Sequence, residues 1–167
     1  MPPSGFQDLN DAEQLLLLAF RRSLSGQARA GLPETAVVDP RPCVDMAWRL
    51  ACGETRGGHA AVLFAQLTRC LSRCTRRPRS LAPPHVDAIT LDERSLLELV
   101  AACQREAAPM AVALARWLVR APDHVALLVA AAALARVMSE SGLELRAPSA
   151  FRADRMLHLG EEIVAPA

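Results

Sequence analysis

The segment Gly58–Arg79 constrains the fold most, because it begins as an apolar helical pattern and ends in a cluster of arginines. On a helix, its apolar residues share one face, and these residues are Val62, Leu63, Leu67, Cys70, Leu71 and Cys74. Arg69, Arg73 and Arg76 recur at i, i+4 and i+7 and form a separate ridge beside that face. The segment therefore predicts a core helix with a basic edge.

Two helix starts carry capping boxes, in which a short polar residue is followed three positions later by Glu. Asn10 and Glu13 form the first, before a helix that we expect to end near Ser25. Its apolar block is wider than one stripe, so we expect this helix to be covered on more than one side. Thr90 and Glu93 form the second capping box and open the fourth helix.

Arg21 and Arg22 follow the apolar block of the first helix, and we expect both to lie near its last turn, where cations suit the helix dipole. The second helix is predicted from near Pro42 to Cys52. Its apolar face is expected to consist of Val44, Ala47, Trp48 and Ala51. The pair Gly57–Gly58 is expected to form the turn before the third helix.

A fifth helix is predicted over Met110–Val119, after the break at Pro109. The sixth begins with Pro122 in its first turn, ends at Gly142 and is nearly all apolar, which favours a central position or an oligomer interface. No segment has the pattern of a strand. We therefore predict an all-α, single-domain helical bundle of five or six main helices over residues 1–142. Residues 143–167 are predicted to form an irregular tail with a short docking helix over 151–159.

The composition excludes several classes of protein. Apolar residues make up 51% of the 167, which argues against disorder. A net charge of +1 gives no overall electrostatic attraction to nucleic acid or membranes. All nineteen basic residues are Arg, which together with abundant Ala is typical of a GC-rich bacterial genome. The start is unlike a signal peptide and the longest apolar run, residues 125–135, is too short to span a bilayer, so we expect a cytoplasmic protein with reduced cysteines.

No catalytic motif is present. None of the four histidines has Glu three residues before it and no His-Glu-x-x-His occurs, so the usual metal chemistry of helical bundles has no ligands here. The absence of Lys excludes a P-loop, and neither G-x-G-x-x-G nor G-x-S-x-G occurs. We expect neither a catalytic residue nor a cofactor.

Thiols and one histidine offer a candidate metal site, namely Cys70, Cys74, His85 and Cys103. The spacing of Cys70 and Cys74 could direct both to one zinc ion, and thiolate and imidazole are zinc ligands. The alternative, which we favour, is that these cysteines are buried packing residues, because they follow the apolar stripe and free Cys is among the most buried residue types.

Five arginines lie within eleven residues that contain no acid, and these are Arg69, Arg73, Arg76, Arg77 and Arg79. Guanidinium groups bind phosphates and carboxylates bidentately, so the cluster is a candidate surface for an acidic partner or nucleic acid. The alternative is a solvated face, partly neutralised by Asp92, Glu93 or Glu98.

The run from Leu67 to Gln104, with the later segment ALARWLV, resembles a group of small helical bacterial proteins of unknown function. The shared features are Phe20-Arg21-Arg22 in a Leu-rich first helix, Arg76-Arg77-Pro78 at a helix end, and Asp92-Glu93 at the next helix start. Such sequences carry cysteines after Arg-Arg-Pro, where this chain has Pro83-Pro84-His85. The resemblance implies a helical fold and brings no activity with it.

We therefore expect a non-enzymatic module that binds a protein partner or itself, as a homodimer formed through the wide apolar face of the first or the sixth helix. One alternative is a nucleic-acid-binding or transcription-related protein that uses the arginines between Arg69 and Arg79. A second alternative is a metal or thiol site at Cys70 and Cys74.

Overall fold

The computed structural model describes residues 5–25, 41–73, 80–120 and 122–146. These ranges contain a short 3-10 helix (Phe6–Asp8), six α-helices and no strand, which confirms the all-α prediction. The helices are α1 (Asp11–Ser25), α2 (Arg41–Cys52), α3 (Glu54–Arg73), α4 (Leu91–Gln104), α5 (Ala108–Leu118) and α6 (His124–Glu140). None of these helices combines the length and the apolar character that crossing a membrane requires.

Contacts between the helices arrange α2, α3 and α6 side by side, with α3 in the middle. α1 packs against α2, α3 and α4, and α4 in turn packs against α5 and α6. α1 and α4 therefore cover one side of the row of α2, α3 and α6. The opposite side of the row is here called the outer face.

Both predicted capping boxes are present. The Asn10 side-chain oxygen accepts the backbone N–H of Glu13 at 2.9 Å, and the Glu13 carboxylate accepts the N–H of Asn10 at 2.9 Å. The Thr90 hydroxyl accepts the N–H of Glu93 at 3.2 Å, and the Glu93 carboxylate accepts the N–H of Thr90 at 2.9 Å. Each pair satisfies two N–H groups that a helix start otherwise leaves open.

The prediction of a turn at Gly57–Gly58 is wrong, because α3 begins at Glu54 and contains both glycines. The turn lies at Gly53, whose φ of +79° is the left-handed conformation that glycine tolerates. Gly57 is needed for close packing: a Cβ built on it would lie 2.5 Å from the carbonyl oxygen of Trp48. The absence of a side chain at Gly57 therefore lets α3 approach the backbone of α2.

The buried face of α2 is narrower than predicted. Val44, Trp48 and Cys52 are buried at successive turns, whereas Ala51, which was predicted on that face, is exposed. The main partners of α2 are α1 and α3, and they cover only this single stripe. In the same way, Val62 of α3 was predicted to be buried and is 57% exposed, because it lies on the outer face.

The core is centred on three aromatic rings from three helices. The Phe64 ring lies 5.2 Å from the Phe20 ring and 5.7 Å from the Trp48 ring, measured between centroids. These tilted arrangements are typical of favourable aromatic pairs. α1 is therefore joined to α2 through a ring of α3.

After Gly142, whose φ of +75° ends α6, residues 143–146 run without helical structure across the ends of α1 and α4. Leu145 is buried, and the Gln104 amide holds the segment by donating to the Leu143 carbonyl at 2.7 Å and accepting from the Leu145 N–H at 2.9 Å. The short helix predicted over 151–159 lies outside the described residues.

Candidate functional site

A buried ion pair joins α1 to the start of α4. Arg21 Nε donates to Glu93 Oε1 at 2.8 Å and Arg21 Nη2 donates to Glu93 Oε2 at 3.0 Å, so the two groups meet in bidentate geometry. Neither side chain exposes any surface to solvent. The sequence predicts Arg21 as a partner of the helix dipole near the end of α1, and Glu93 as a residue that neutralises part of the arginine cluster. The structure pairs the two residues with each other instead.

The rest of the Arg21 guanidinium holds the connector between α3 and α4. Nη1 donates to the carbonyls of Val86 at 2.6 Å and Pro83 at 3.4 Å, and Nη2 donates to the carbonyl of Ala88 at 2.8 Å. With the two bonds to Glu93, all five N–H donors of the guanidinium have an acceptor. Because every N–H donor of Arg21 is used and the side chain is closed to solvent, Arg21 cannot bind a ligand. This network is therefore structural.

Glu93 is equally occupied. Beyond Arg21, its carboxylate accepts the backbone N–H of Ala82 at 2.8 Å and that of Thr90 at 2.9 Å. The neighbouring Asp92 accepts the N–H of Ser80 at 2.8 Å and is also buried. The two carboxylates at the start of α4 therefore organise the connector.

The arginine cluster is described only in part, since Arg76, Arg77 and Arg79 lie outside the described residues. Arg69 and Arg73 project from α3 one turn apart, and both are exposed. Neither forms a hydrogen bond or ion pair with any residue in the described ranges. Glu93, one of the three carboxylates that could have neutralised the cluster, is engaged by Arg21.

The candidate metal ligands do not form a group in the part of the chain that the structure describes. Cys70 is half-buried against the core, His85 is exposed on the connector, and Cys74 lies outside the described residues. Within the described ranges, no three His, Cys, Asp or Glu side chains are placed to hold a metal ion. Burial raises the pKa of the Cys103 thiol to about 11, which disfavours the thiolate that zinc requires.

A cavity of about 520 Å³ lies between the end of α4, α5 and α6, and it is partly open to solvent. Its walls are mostly small or aliphatic side chains, among them Ala111, Val112, Leu128 and Ala132. Cys103, Glu106 and Arg136 also line it. The volume falls within the range of about 300–1,000 Å³ typical of small-molecule sites. Sequence reasoning missed this cavity, because its lining comes from three helices and a turn.

The outer face carries exposed apolar residues. On α6, Val125 and Val129 are one turn apart and are 57% and 66% exposed. Val62 of the neighbouring α3 is 57% exposed, and Met46 and Leu50 are exposed one turn apart on α2. Large apolar side chains so exposed on three adjacent helices mark a candidate interaction surface.

Comparisons with models of protein families, with curated proteins and with solved structures give no match for this chain. The candidate sites therefore rest on the geometry of the chain itself.

Proposed function

We propose that the chain is a non-enzymatic regulatory module of the bacterial cytoplasm that acts by self-association, as a homodimer formed through the outer surface of α6. The observation that carries this proposal is the exposure of Val125 and Val129, at 57% and 66%, on a helix whose opposite side is fully packed. Apolar side chains repeated at helical spacing on a surface are typical of a helix that packs against another helix.

The choice of α6 over α1 follows from burial. The wide apolar block of α1 is used within the chain, since Leu16, Leu17 and Phe20 are fully buried. The apolar surface of α6 is wider than its three neighbouring helices cover. Of the two faces that the sequence offered for dimerisation, the α6 face therefore remains available.

A twofold symmetric contact suits this surface. In such a dimer the same patch of each copy packs on itself, so α6 would lie against the α6 of the other copy. Ala126 is exposed beside the valines, and a small side chain at a helix contact permits a short distance between the helix axes. Val62 of α3 would extend the contact at one side.

Light scattering during size-exclusion chromatography at micromolar concentration tests the proposal. We expect the wild-type chain to elute with the mass of a dimer and Val129→Glu to elute as a monomer, because the contact would bury two unpaired carboxylates. Leu91→Glu is the matched control, since Leu91 is 49% exposed at the first turn of α4, away from the outer face. A monomeric wild-type chain, or a Val129→Glu variant that stays dimeric, would overturn the proposal.

A second candidate function is binding of nucleic acid or another polyanion by the arginines from Arg69 onward. The observation that favours it is that Arg69 and Arg73 are exposed without an ion pair to any residue in the described ranges. Retention on heparin that weakens steeply with salt is then expected, and the double variant Arg69→Gln/Arg73→Gln should elute at lower salt. The variant Arg22→Gln/Arg120→Gln removes the same charge elsewhere and should elute unchanged.

A metal or thiol site at Cys70 and Cys74 stays a prediction. Elemental analysis of the protein purified without added metal tests it, and a preparation free of zinc and iron would remove it.

A further inference from the structure

The cavity between α4, α5 and α6 has one charged end and one apolar end. α5 and α6 are consecutive, are joined by a short link and pack on each other, so they run antiparallel. The start of α5 therefore lies beside the end of α6. Glu106, just before α5, and Arg136, one turn before the end of α6, both belong to this end of the cavity. Val112 and Leu128 line the part further along the helices.

The two charged residues are available to a ligand. Both are exposed, and neither side chain forms a hydrogen bond or ion pair with another residue in the described ranges. A guanidinium binds a carboxylate with two parallel hydrogen bonds, and a carboxylate accepts from an ammonium group. The charged end therefore offers one site for an anion and one site for a cation.

The turn that carries Glu106 is firmly held. Glu106 adopts a φ of +56°, the left-handed conformation that ends a helix in a Schellman motif. The turn is closed by hydrogen bonds from the Ala107 N–H to the Ala102 carbonyl at 2.9 Å and from the Glu106 N–H to the Cys103 carbonyl at 3.3 Å. Arg105 also donates to the carbonyl of Leu145. A site whose rim is held in this way needs little reordering when it binds.

The remaining wall is uncharged at neutral pH. Burial raises the pKa of the Cys103 thiol to about 11, so this side chain keeps its proton and behaves as a small apolar group. The polar lining residues Gln104 and Ser139 lie toward the charged end, near the ends of α4 and α6, and the other lining residues are Ala, Val and Leu. An apolar body of several carbon atoms fits this part of the cavity better than a sugar or a polyphosphate, which would leave polar groups without partners.

We infer that the cavity binds a small zwitterion with an apolar body, of the class of an aromatic or branched-chain α-amino acid. The carboxylate of the ligand pairs with Arg136, its ammonium group pairs with Glu106, and its side chain lies against Val112 and Leu128. A ligand with only an anionic group would face the unpaired Glu106, and one with only a cationic group would face the unpaired Arg136. The zwitterion satisfies both residues.

Three probes with the same aromatic body separate these cases: L-phenylalanine, 3-phenylpropionate and 2-phenylethylamine, titrated into the full-length chain by calorimetry or by NMR. We expect phenylalanine to bind about tenfold more tightly than either analogue, because only it pairs with both charged residues. Binding that depends on the cavity should also be abolished by Ala132→Phe, which places a large side chain on an exposed lining position.

Two charge variants assign the roles. Arg136→Gln should weaken phenylalanine and phenylpropionate about tenfold and leave phenylethylamine unchanged or tighter, and Glu106→Gln should do the reverse. Arg120→Gln removes an exposed arginine outside the cavity and is expected to leave the affinity for all three probes unchanged.

The inference is overturned if none of the three probes binds at millimolar concentration, or if phenylalanine binds no more tightly than both analogues. It is also overturned if neither charge variant alters the order of the three affinities. Circular dichroism establishes that each variant is folded.

Discussion

Arg21 and Glu93 are 72 residues apart in the chain and form a bidentate ion pair that is closed to solvent. The pair does more than join two helices, because Arg21 also donates hydrogen bonds to three carbonyls of the connector before α4. Without it, the buried Glu93 carboxylate would lose its counter-ion, which is costly. The pair therefore fixes the path of the chain from Pro83 to Glu93.

Replacing Arg21 by Met is expected to destabilise the fold by about 3–5 kcal/mol, because it leaves a buried carboxylate without its counter-ion. Urea denaturation followed by circular dichroism measures the change. Arg22→Met is the control: this neighbouring arginine is exposed, so its replacement should stay within about 0.5 kcal/mol of the wild type. Equal effects of the two substitutions would contradict the structural role of the pair.

Adding a methyl group at Gly57 and at Gly58 should have opposite effects. Gly57→Ala would place a Cβ 2.5 Å from the carbonyl oxygen of Trp48, so α3 must move away from α2, at a cost of about 1–3 kcal/mol. At Gly58 the nearest atom is Arg49 Nη2 at 3.5 Å, and Gly58→Ala should stabilise the helix by about 0.5–1 kcal/mol. Thermal unfolding of both variants checks the sign, and destabilisation by Gly58→Ala to the same extent would count against this packing.

Cys103 should react slowly with iodoacetamide. Burial raises its pKa from 9.0 to about 11, so at pH 8 its thiolate fraction in the folded chain is lower than in the unfolded chain. Alkylation, followed by mass spectrometry of the peptide that contains Cys103, should be roughly a hundredfold slower than in guanidinium chloride and should accelerate about tenfold per pH unit. A rate that levels off below pH 9 would contradict the raised pKa.

The raised pKa of Cys103 also predicts how the free energy of unfolding changes with pH. The folded chain holds the Cys103 proton that the unfolded chain loses above pH 9, so the contribution of this neutral thiol is fully present below pH 9 and is lost as the pH rises through about 11. Cys103→Ala should remove this part of the decline in the free energy of unfolding. A wild-type chain and a Cys103→Ala variant with identical pH profiles between 9 and 11 would show that the thiol contributes nothing.

Gln104 is expected to hold residues 143–146 in place. Gln104→Ala removes the hydrogen bonds to the Leu143 carbonyl and from the Leu145 N–H, and should lower the free energy of unfolding by about 1–3 kcal/mol. Hydrogen exchange should accelerate at Leu145 before the helices are affected. Gln66→Ala, at an exposed position of α3, is the control and should leave both quantities unchanged.

Local signals in the sequence predicted the starts of α1 and α4. A capping box needs only two residues three positions apart, so Asn10–Glu13 and Thr90–Glu93 are readable without tertiary structure. A glycine that permits a close approach of two helices has no such local signal, and the prediction of a turn at Gly57 was therefore wrong. Helical spacing also cannot tell how much of an apolar surface the neighbouring helices cover, which is why Val62 was predicted to be buried.

Local sequence patterns could not predict the ion pair between Arg21 and Glu93. Arg21 follows the apolar block of α1, where an arginine is usually explained by the helix dipole, and only the folded chain shows that its partner is Glu93. No local signal in the sequence indicated the cavity, because Glu106 and Arg136 are 30 residues apart. They line the same cavity only when α5 and α6 are folded.

The Arg21 network also has a consequence for synthesis on the ribosome. Arg21 leaves the ribosome long before Glu93 and the connector carbonyls exist, and at about 5–20 residues per second the interval is several seconds. During that time α1 holds a guanidinium that cannot leave water without a partner. The first helix therefore cannot reach its final place until α4 has emerged, and the nascent chain is exposed to chaperones and proteases with its most apolar early segment still uncovered.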